Sequence, residues 1–99
     1  MKAGTRLRSV VCSTEIIVVR APDENVPIEC GGAVMELLGT SPPPGVPDPE
    51  YMSGTQLGKR YVNEDIGIEV LCTKAGDGSL AIAGKNLVLK QAKPLPSSD

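Results

Sequence analysis

Two cysteines in this chain are candidates for metal binding, because each lies close in sequence to another residue that can bind a metal ion. Ser9 stands three residues before Cys12, and Glu29 immediately precedes Cys30. Two ligands three residues apart let the backbone turn around one metal ion and point its amides at the sulfur atoms. A hairpin between the two places would bring the pairs together. The pattern therefore indicates a candidate metal site of Ser9, Cys12, Glu29 and Cys30.

The two cysteines admit three interpretations from sequence alone. They are reduced thiols packed in a core, or they form a disulfide, which requires Cα atoms within about 7 Å. Alternatively, they hold one zinc or iron ion with help from Glu29 and Ser9. Two thiolates, a carboxylate and a hydroxyl make a weak zinc site and no redox-tuned iron site. The third cysteine, Cys72, lies in an apolar run and is expected to be a small packing residue.

The composition argues against several other kinds of site. The 99 residues include no His, Trp or Phe, which removes imidazole bases, histidine ligands and most aromatic platforms for nucleobases. A net charge of −2 without a basic cluster argues against nucleic acid as a partner. No apolar run approaches the ~18 residues of a membrane span, and no signal-peptide pattern opens the chain. These features predict a cytoplasmic protein that is not an enzyme and that binds neither nucleic acid nor membrane.

The elements that must position the cysteines have the composition of strands. Residues 15–20, 68–73, 80–83 and 87–89 are rich in β-branched and aliphatic side chains, and turn-forming residues separate them. Nine prolines and eleven glycines also favour short strands joined by tight turns. The sequence predicts an all-β fold, in which the one helical candidate, residues 33–38, is too short to be stable by itself.

A proline-rich stretch divides the chain. Residues 39–57 are interpreted as a stiff, extended linker, because proline lacks an amide donor and fixes φ. The linker separates a first half, residues 1–38, from a second half, residues 58–92, and residues 93–99 form a tail. We expect the two halves to be ribbon-like hairpin units that pack on each other into one compact domain, because neither is long enough to bury a core alone.

The two halves also resemble each other in sequence. A shift of 54 positions aligns residues 4–37 with residues 58–91 without a gap. Strand, charged turn, strand and glycine turn then recur in the same order, which predicts a pseudo-symmetric pair. The identical pairs are Gly4/Gly58, Arg6/Arg60, Glu15/Glu69, Ala21/Ala75, Asp23/Asp77, Ile28/Ile82 and Val34/Val88.

Residues 4–37 resemble the desulforedoxin family and the N-terminal domain of desulfoferrodoxin. Those proteins have a glycine, a Cys-x-x-Cys knuckle, an apolar strand, a glycine-rich turn, adjacent cysteines, a glycine and then a methionine. Ser9 and Glu29 depart from this pattern. The resemblance implies a small ribbon that binds a single iron or zinc ion through four thiolates and pairs as a two-fold dimer. The residues that match the pattern are Gly4, Cys12, the run 15–20, Cys30, Gly31 and Met35.

The second half matches the same pattern but lacks the metal-binding residues. Two such units in one chain would resemble the two-fold dimer of the family. Asn63 and Ile66 replace the knuckle, and Ala83 and Gly84 replace the adjacent cysteines. We therefore expect a non-catalytic β module without a cofactor, which binds a protein partner or serves as an accessory subunit of a larger complex. The alternative is a residual zinc or iron protein, or a thiol redox protein, that uses Cys12 and Cys30.

Overall fold

The computed structural model describes residues 2–23, 26–41 and 43–90, and it confirms the predicted all-β fold class. The helical candidate, residues 33–38, forms two short strands instead. A single 3₁₀ turn spans Pro49–Tyr51, and no helix in the described ranges is long and apolar enough to cross a membrane. The strands are β1 (Arg6–Arg8), β2 (Glu15–Arg20), β3 (Ile28–Cys30), β4 (Ala33–Val34), β5 (Glu36–Leu37), β6 (Arg60–Asn63), β7 (Ile68–Lys74), β8 (Leu80–Ile82), β9 (Lys85–Asn86) and β10 (Val88–Leu89).

The strands form two antiparallel sheets, and each sheet contains strands of both halves. The larger sheet has the order β10-β6-β7-β2-β1-β5, and the smaller has the order β4-β3-β8-β9. The central pairs, β2 with β7 and β3 with β8, each join one strand of the first half to one strand of the second. Neither half therefore forms a complete sheet by itself.

The central ladder of the larger sheet keeps its register when the two halves are exchanged. In the β2–β7 pair, Ile16 lies opposite Cys72 and Val18 lies opposite Val70. A shift of 54 positions carries Ile16 onto Val70 and Val18 onto Cys72. Because an antiparallel pair returns to itself under any shift, the ladders next to this pair determine the value of the shift. The β1–β2 and β6–β7 ladders correspond under the same shift.

The smaller sheet follows a different shift. In the β3–β4 pair, Glu29 lies opposite Val34 and Cys30 lies opposite Ala33. A shift of 52 carries these pairs onto the β8–β9 ladder, where Ala81 lies opposite Asn86 and Ile82 lies opposite Lys85. Seven residues separate β2 from β3, whereas five separate β7 from β8. The gapless alignment is therefore wrong from β3 onwards: Cys30 corresponds to Ile82, not to Gly84. Superposition of the two halves as copies of one unit stays a prediction.

The core lies between the two sheets. Alternate residues of β2 and β7 point inwards, as expected for strands with one buried face, and they meet the inward side chains of β3 and β8. Cys72 is buried in this core, as expected for a small packing residue. The apolar side chains that are almost completely buried include Ile16, Val18, Ile28, Cys30, Ile68, Val70, Cys72, Leu80 and Ile82.

The proline-rich segment is bound to the rest of the fold from Gly45 onwards. The Gly45 amide donates to the carbonyl of Val10 (2.8 Å), and the Asp48 amide donates to the carbonyl of Gly31 (2.8 Å). Thr55 forms an isolated β-bridge with Gly76. The segment therefore lies against the loops on either side of the candidate cysteines. The predicted tail, residues 93–99, lies outside the described residues.

Candidate functional site: a thiol pair and an apolar sheet edge

The fold brings Cys12 and Cys30 together. Cys12 lies in the loop between β1 and β2, and Cys30 is the last residue of β3. Their Sγ atoms are 3.8 Å apart, and both thiols are free. The predicted proximity of the two cysteines is therefore correct, although they form no disulfide in this structure.

Ser9 shapes the loop that carries Cys12. Its Oγ accepts hydrogen bonds from the amides of Val11 and Cys12, both at 3.1 Å, and its own amide donates to the carbonyl of Thr14 at 2.9 Å. These bonds close a tight turn in which Ser9 Oγ lies 3.3 Å from Cys12 Sγ. Ser9 thus stands beside the Cys12 sulfur, and its role as a metal ligand stays a prediction.

Two further groups contact the Cys12 sulfur. The buried Thr14 places Oγ1 3.2 Å from Cys12 Sγ, and the amide of Gly78 donates to Cys12 Sγ at 3.3 Å. The sulfur therefore has two hydroxyls and one amide around it. No sequence pattern singles out Thr14, because a threonine before a strand has an ordinary role in turns.

The loop of residues 76–78, from the second half, closes over the thiols. A Cβ atom added at Gly78 would lie 2.9 Å from Cys30 Sγ and 3.1 Å from Cys12 Sγ, and one added at Gly76 would lie 3.0 Å from Cys12 Sγ. Glycine is therefore needed at both positions for the backbone to approach the sulfur atoms. The sequence there is Gly-Asp-Gly, a pattern that is typical of hairpin turns and does not by itself indicate a contact with the cysteines.

The two thiols differ in acidity. Burial opposes ionisation of Cys12, but the hydrogen bonds of Ser9, Thr14 and Gly78 outweigh it and lower the pKa of Cys12 to about 7. At Cys30, burial together with repulsion from Cys12 raises the pKa to about 12. Near neutral pH, Cys12 is therefore partly a thiolate while Cys30 remains a neutral thiol.

Glu29 does not join the thiols. It lies between Ile28 and Cys30 in β3, and neighbouring residues of a strand point to opposite faces; the burial pattern of β3 alternates accordingly. Within residues 2–23, 26–41 and 43–90 there is no group of three or more His, Cys, Asp or Glu side chains that could hold a metal ion. The structure thus assembles Ser9, Cys12 and Cys30 but leaves the predicted carboxylate ligand on the other face.

A second candidate site is an apolar groove beside β5, the outer strand of the larger sheet. Its volume is about 230 Å³, and Leu37 and Val34 at its rim are about half exposed. At the position equivalent to Leu7, the second half has Tyr61, whose larger ring is buried. The residues that line the groove are Thr5, Leu7, Val26, Pro27, Ile28, Val34, Met35 and Leu37.

Comparison of the chain with protein-family models, with curated proteins and with solved structures finds no match. The resemblance to the desulforedoxin family stays a prediction. It depends on the residues that match the family pattern in the first half, of which Cys12 and Cys30 are the two that the fold places side by side.

Proposed function

We propose that this chain is a small accessory β module that binds a partner protein at the β5 edge of its larger sheet. The observation that supports this most directly is the apolar groove next to an outer strand. Exposed apolar surface beside an unpaired strand is unfavourable in water and is typical of binding sites for another chain.

The chemistry of the edge favours a partner in extended conformation. β5 pairs on one side with β1 and is the last strand of its sheet. A partner strand added to its other side would form main-chain hydrogen bonds, and alternate side chains would reach the apolar groove. Leu37 is 56% exposed and Leu38 is 40% exposed, so both would lose water contact on binding.

The opposite edge of the same sheet provides an internal comparison. There, Leu89 of β10 corresponds to Leu37 and is also exposed. The depression beside β10, however, is lined by Glu64, Asp65, Lys85 and Asn86 among others. Charged and amide side chains are the usual protection of a free strand edge, so the β5 edge is the better candidate for a partner.

This proposal can be tested with two matched variants in an affinity pull-down from the native host. We expect Leu37→Lys to abolish capture of a specific partner, because a buried unpaired charge at the interface is costly, and Leu89→Lys to retain it. Circular dichroism should show that both variants stay folded. A parent chain that is monomeric without a stable partner, or a partner that both variants bind equally, would contradict the proposal.

A second candidate function, a residual metal protein, is favoured by the sulfur separation. Two sulfurs at about 2.3 Å from a tetrahedral zinc ion are about 3.8 Å apart, and Cys12 and Cys30 have that separation. Elemental analysis of protein purified without added metal tests this candidate. About one equivalent of zinc or iron, with a lower melting temperature for Cys12→Ser, would support it. Metal well below one equivalent and an unchanged melting temperature would remove it.

A further inference from the structure

The thiol pair has no part in binding a partner at the β5 edge, and it contains the two free cysteines whose sulfurs lie 3.8 Å apart. The two cysteines differ in exposure and in surroundings, and the corresponding positions of the second half hold Ile66 and Ile82.

We propose that Cys12 and Cys30 are a redox-active dithiol that exchanges with disulfide substrates, with Cys12 as the attacking thiol and Cys30 as the resolving thiol. This inference goes beyond partner binding and does not depend on it. The substrate class is a disulfide of a small thiol or of a protein, and the product is an intramolecular Cys12–Cys30 disulfide.

The exposure of the two cysteines assigns their roles. Cys30 has no exposed surface, so an external disulfide cannot reach its sulfur. Cys12, in a loop, is only half-buried, so it is the one of the two cysteines that keeps exposed surface. A disulfide bond requires the sulfurs to be about 2.05 Å apart, so the present separation must shorten by somewhat less than 2 Å. Cys12 lies in a loop rather than a strand, and rotation of its side chain can supply that movement.

The surroundings of Cys12 suit a sulfur that gains and loses negative charge. The Ser9 hydroxyl, the Thr14 hydroxyl and the Gly78 amide all lie within 3.3 Å of it. Such groups stabilise a thiolate when it attacks and again when it leaves. Cys72 offers a contrast within the same chain, because its buried sulfur donates to the carbonyl of Lys74.

The second half shows that packing alone does not require the pair. By the shifts of 54 and 52, Cys12 corresponds to Ile66 and Cys30 corresponds to Ile82. Ile82 is completely buried and Ile66 packs against the core. The same fold therefore accepts apolar side chains at both positions, and the two thiols of the first half need another explanation than filling space.

The exchange balances in two steps. First, the Cys12 thiolate attacks one sulfur of R–S–S–R′, forming a mixed disulfide with R–S and releasing R′–S⁻, which takes a proton from water. Then Cys30 loses its proton as its sulfur attacks Cys12 Sγ, and R–S⁻ leaves and takes up a proton. The substrate disulfide is thereby reduced to two thiols, and the protein dithiol is oxidised by two electrons.

The test uses the full chain equilibrated in mixtures of reduced and oxidised glutathione, acid-quenched, alkylated and analysed by mass spectrometry. We expect a Cys12–Cys30 disulfide with Cys72 free, and complete reversal by excess reduced glutathione. Cys30→Ser should accumulate one glutathione on Cys12, because the resolving thiol is absent. Cys12→Ser should form neither product, and Cys72→Ser should behave as the parent.

Circular dichroism of each variant establishes that it is folded before its thiols are compared. The proposal is overturned if folded Cys30→Ser takes up no glutathione on Cys12, or if the parent stays reduced at every glutathione ratio. It is also overturned if Cys72 is oxidised as readily as Cys12, or if purified protein carries a metal ion on the two sulfurs that blocks exchange.

Discussion

Cys12 and Cys72 show how two residues of one type acquire different chemistry from their neighbours. Both contribute to the region between the sheets, but Cys12 is surrounded by hydroxyl and amide groups. Burial raises the pKa of Cys72, whereas the hydrogen bonds at Cys12 lower its pKa from 9.0 to about 7 in spite of burial. Of these two thiols, Cys12 should therefore be the one that reacts as a nucleophile at neutral pH.

The first prediction concerns alkylation of the native protein by iodoacetamide. Because the thiolate is the nucleophile, the rate at Cys12 should rise as the pH increases through about 7 and level off above it. Cys30 and Cys72 should stay unmodified. Mass spectrometry of peptides after short exposures at a series of pH values measures this.

Thr14→Val is the control for that profile, because valine keeps the shape of threonine without its hydroxyl. Loss of the hydroxyl that hydrogen-bonds with the sulfur should move the midpoint of the Cys12 profile to higher pH. A midpoint near 9 in the parent protein, or alkylation of Cys72 at a comparable rate, would contradict the prediction.

At the scale of strands, β2 and β7 carry corresponding carboxylates in different surroundings. Glu69 is buried and accepts hydrogen bonds from Lys90 Nζ (2.9 Å) and Arg60 Nη1 (3.0 Å). The bond from Lys90, opposed by burial and assisted by Arg60, lowers the pKa of Glu69. Glu15, its counterpart under the shift of 54, is more exposed and lies 3.9 Å from Lys74.

The second prediction follows from this difference. Because the folded-state pKa of Glu69 is depressed, its stabilisation is present above the unfolded pKa of about 4.3 and is lost as the pH falls through the folded value. Glu69→Gln should therefore melt at a lower temperature than the parent at pH 7. The difference between the two melting temperatures should become smaller in acid. Thermal melts followed by circular dichroism at several pH values measure both effects.

Glu15→Gln is the matched control for Glu69, since exposed ion pairs contribute little to stability. Its melting temperature should stay close to that of the parent at every pH. Two results would show that the two hydrogen bonds to Glu69 do not stabilise the fold. One is an equal decrease in melting temperature in both variants, and the other is a decrease for Glu69→Gln that does not depend on pH.

The strands also show how far the sequence could predict the fold. Composition predicted the all-β class, and the knuckle pattern grouped Ser9, Cys12, Glu29 and Cys30, of which the fold brings the two cysteine sulfurs together. Comparison of residue identities missed the change of shift after β2, because Ile28 and Ile82 are identical yet are direct neighbours across the β3–β8 pair. Glu29 was assigned to the site by its position next to Cys30, but strand alternation places adjacent residues on opposite faces.

The glycine loop of the second half could not be assigned to the site from sequence. Gly76 and Gly78 follow Cys12 by more than sixty residues, and only the packing of the two halves brings that backbone onto the sulfurs. The signal was a pair of glycines in a turn, which many hairpins share. A site composed of loops from both halves depends on how the halves pair, and no local pattern encodes that pairing.

For the whole molecule, the shared sheets predict that the covalent connection between the halves is not what keeps them together. Each sheet has a central strand pair that crosses from one half to the other, so separation would expose the edges of β2 and β3 and the core side chains beneath them. The tether adds an effective concentration in the millimolar range. Cutting the covalent connection should weaken the association of the two halves but should not separate them.

The third prediction is tested by placing a specific protease site between Gly39 and Thr40, which are both exposed. After cleavage, the two fragments should elute together as one species of unchanged size and keep the circular dichroism spectrum of the intact chain. Their melting temperature should fall and become dependent on protein concentration, because unfolding now also dissociates two chains. Denaturant followed by gel filtration should separate them, which serves as the control for complete cleavage. If the fragments separate in plain buffer and each melts cooperatively alone, the halves are independent domains and the two shared sheets do not hold the molecule together.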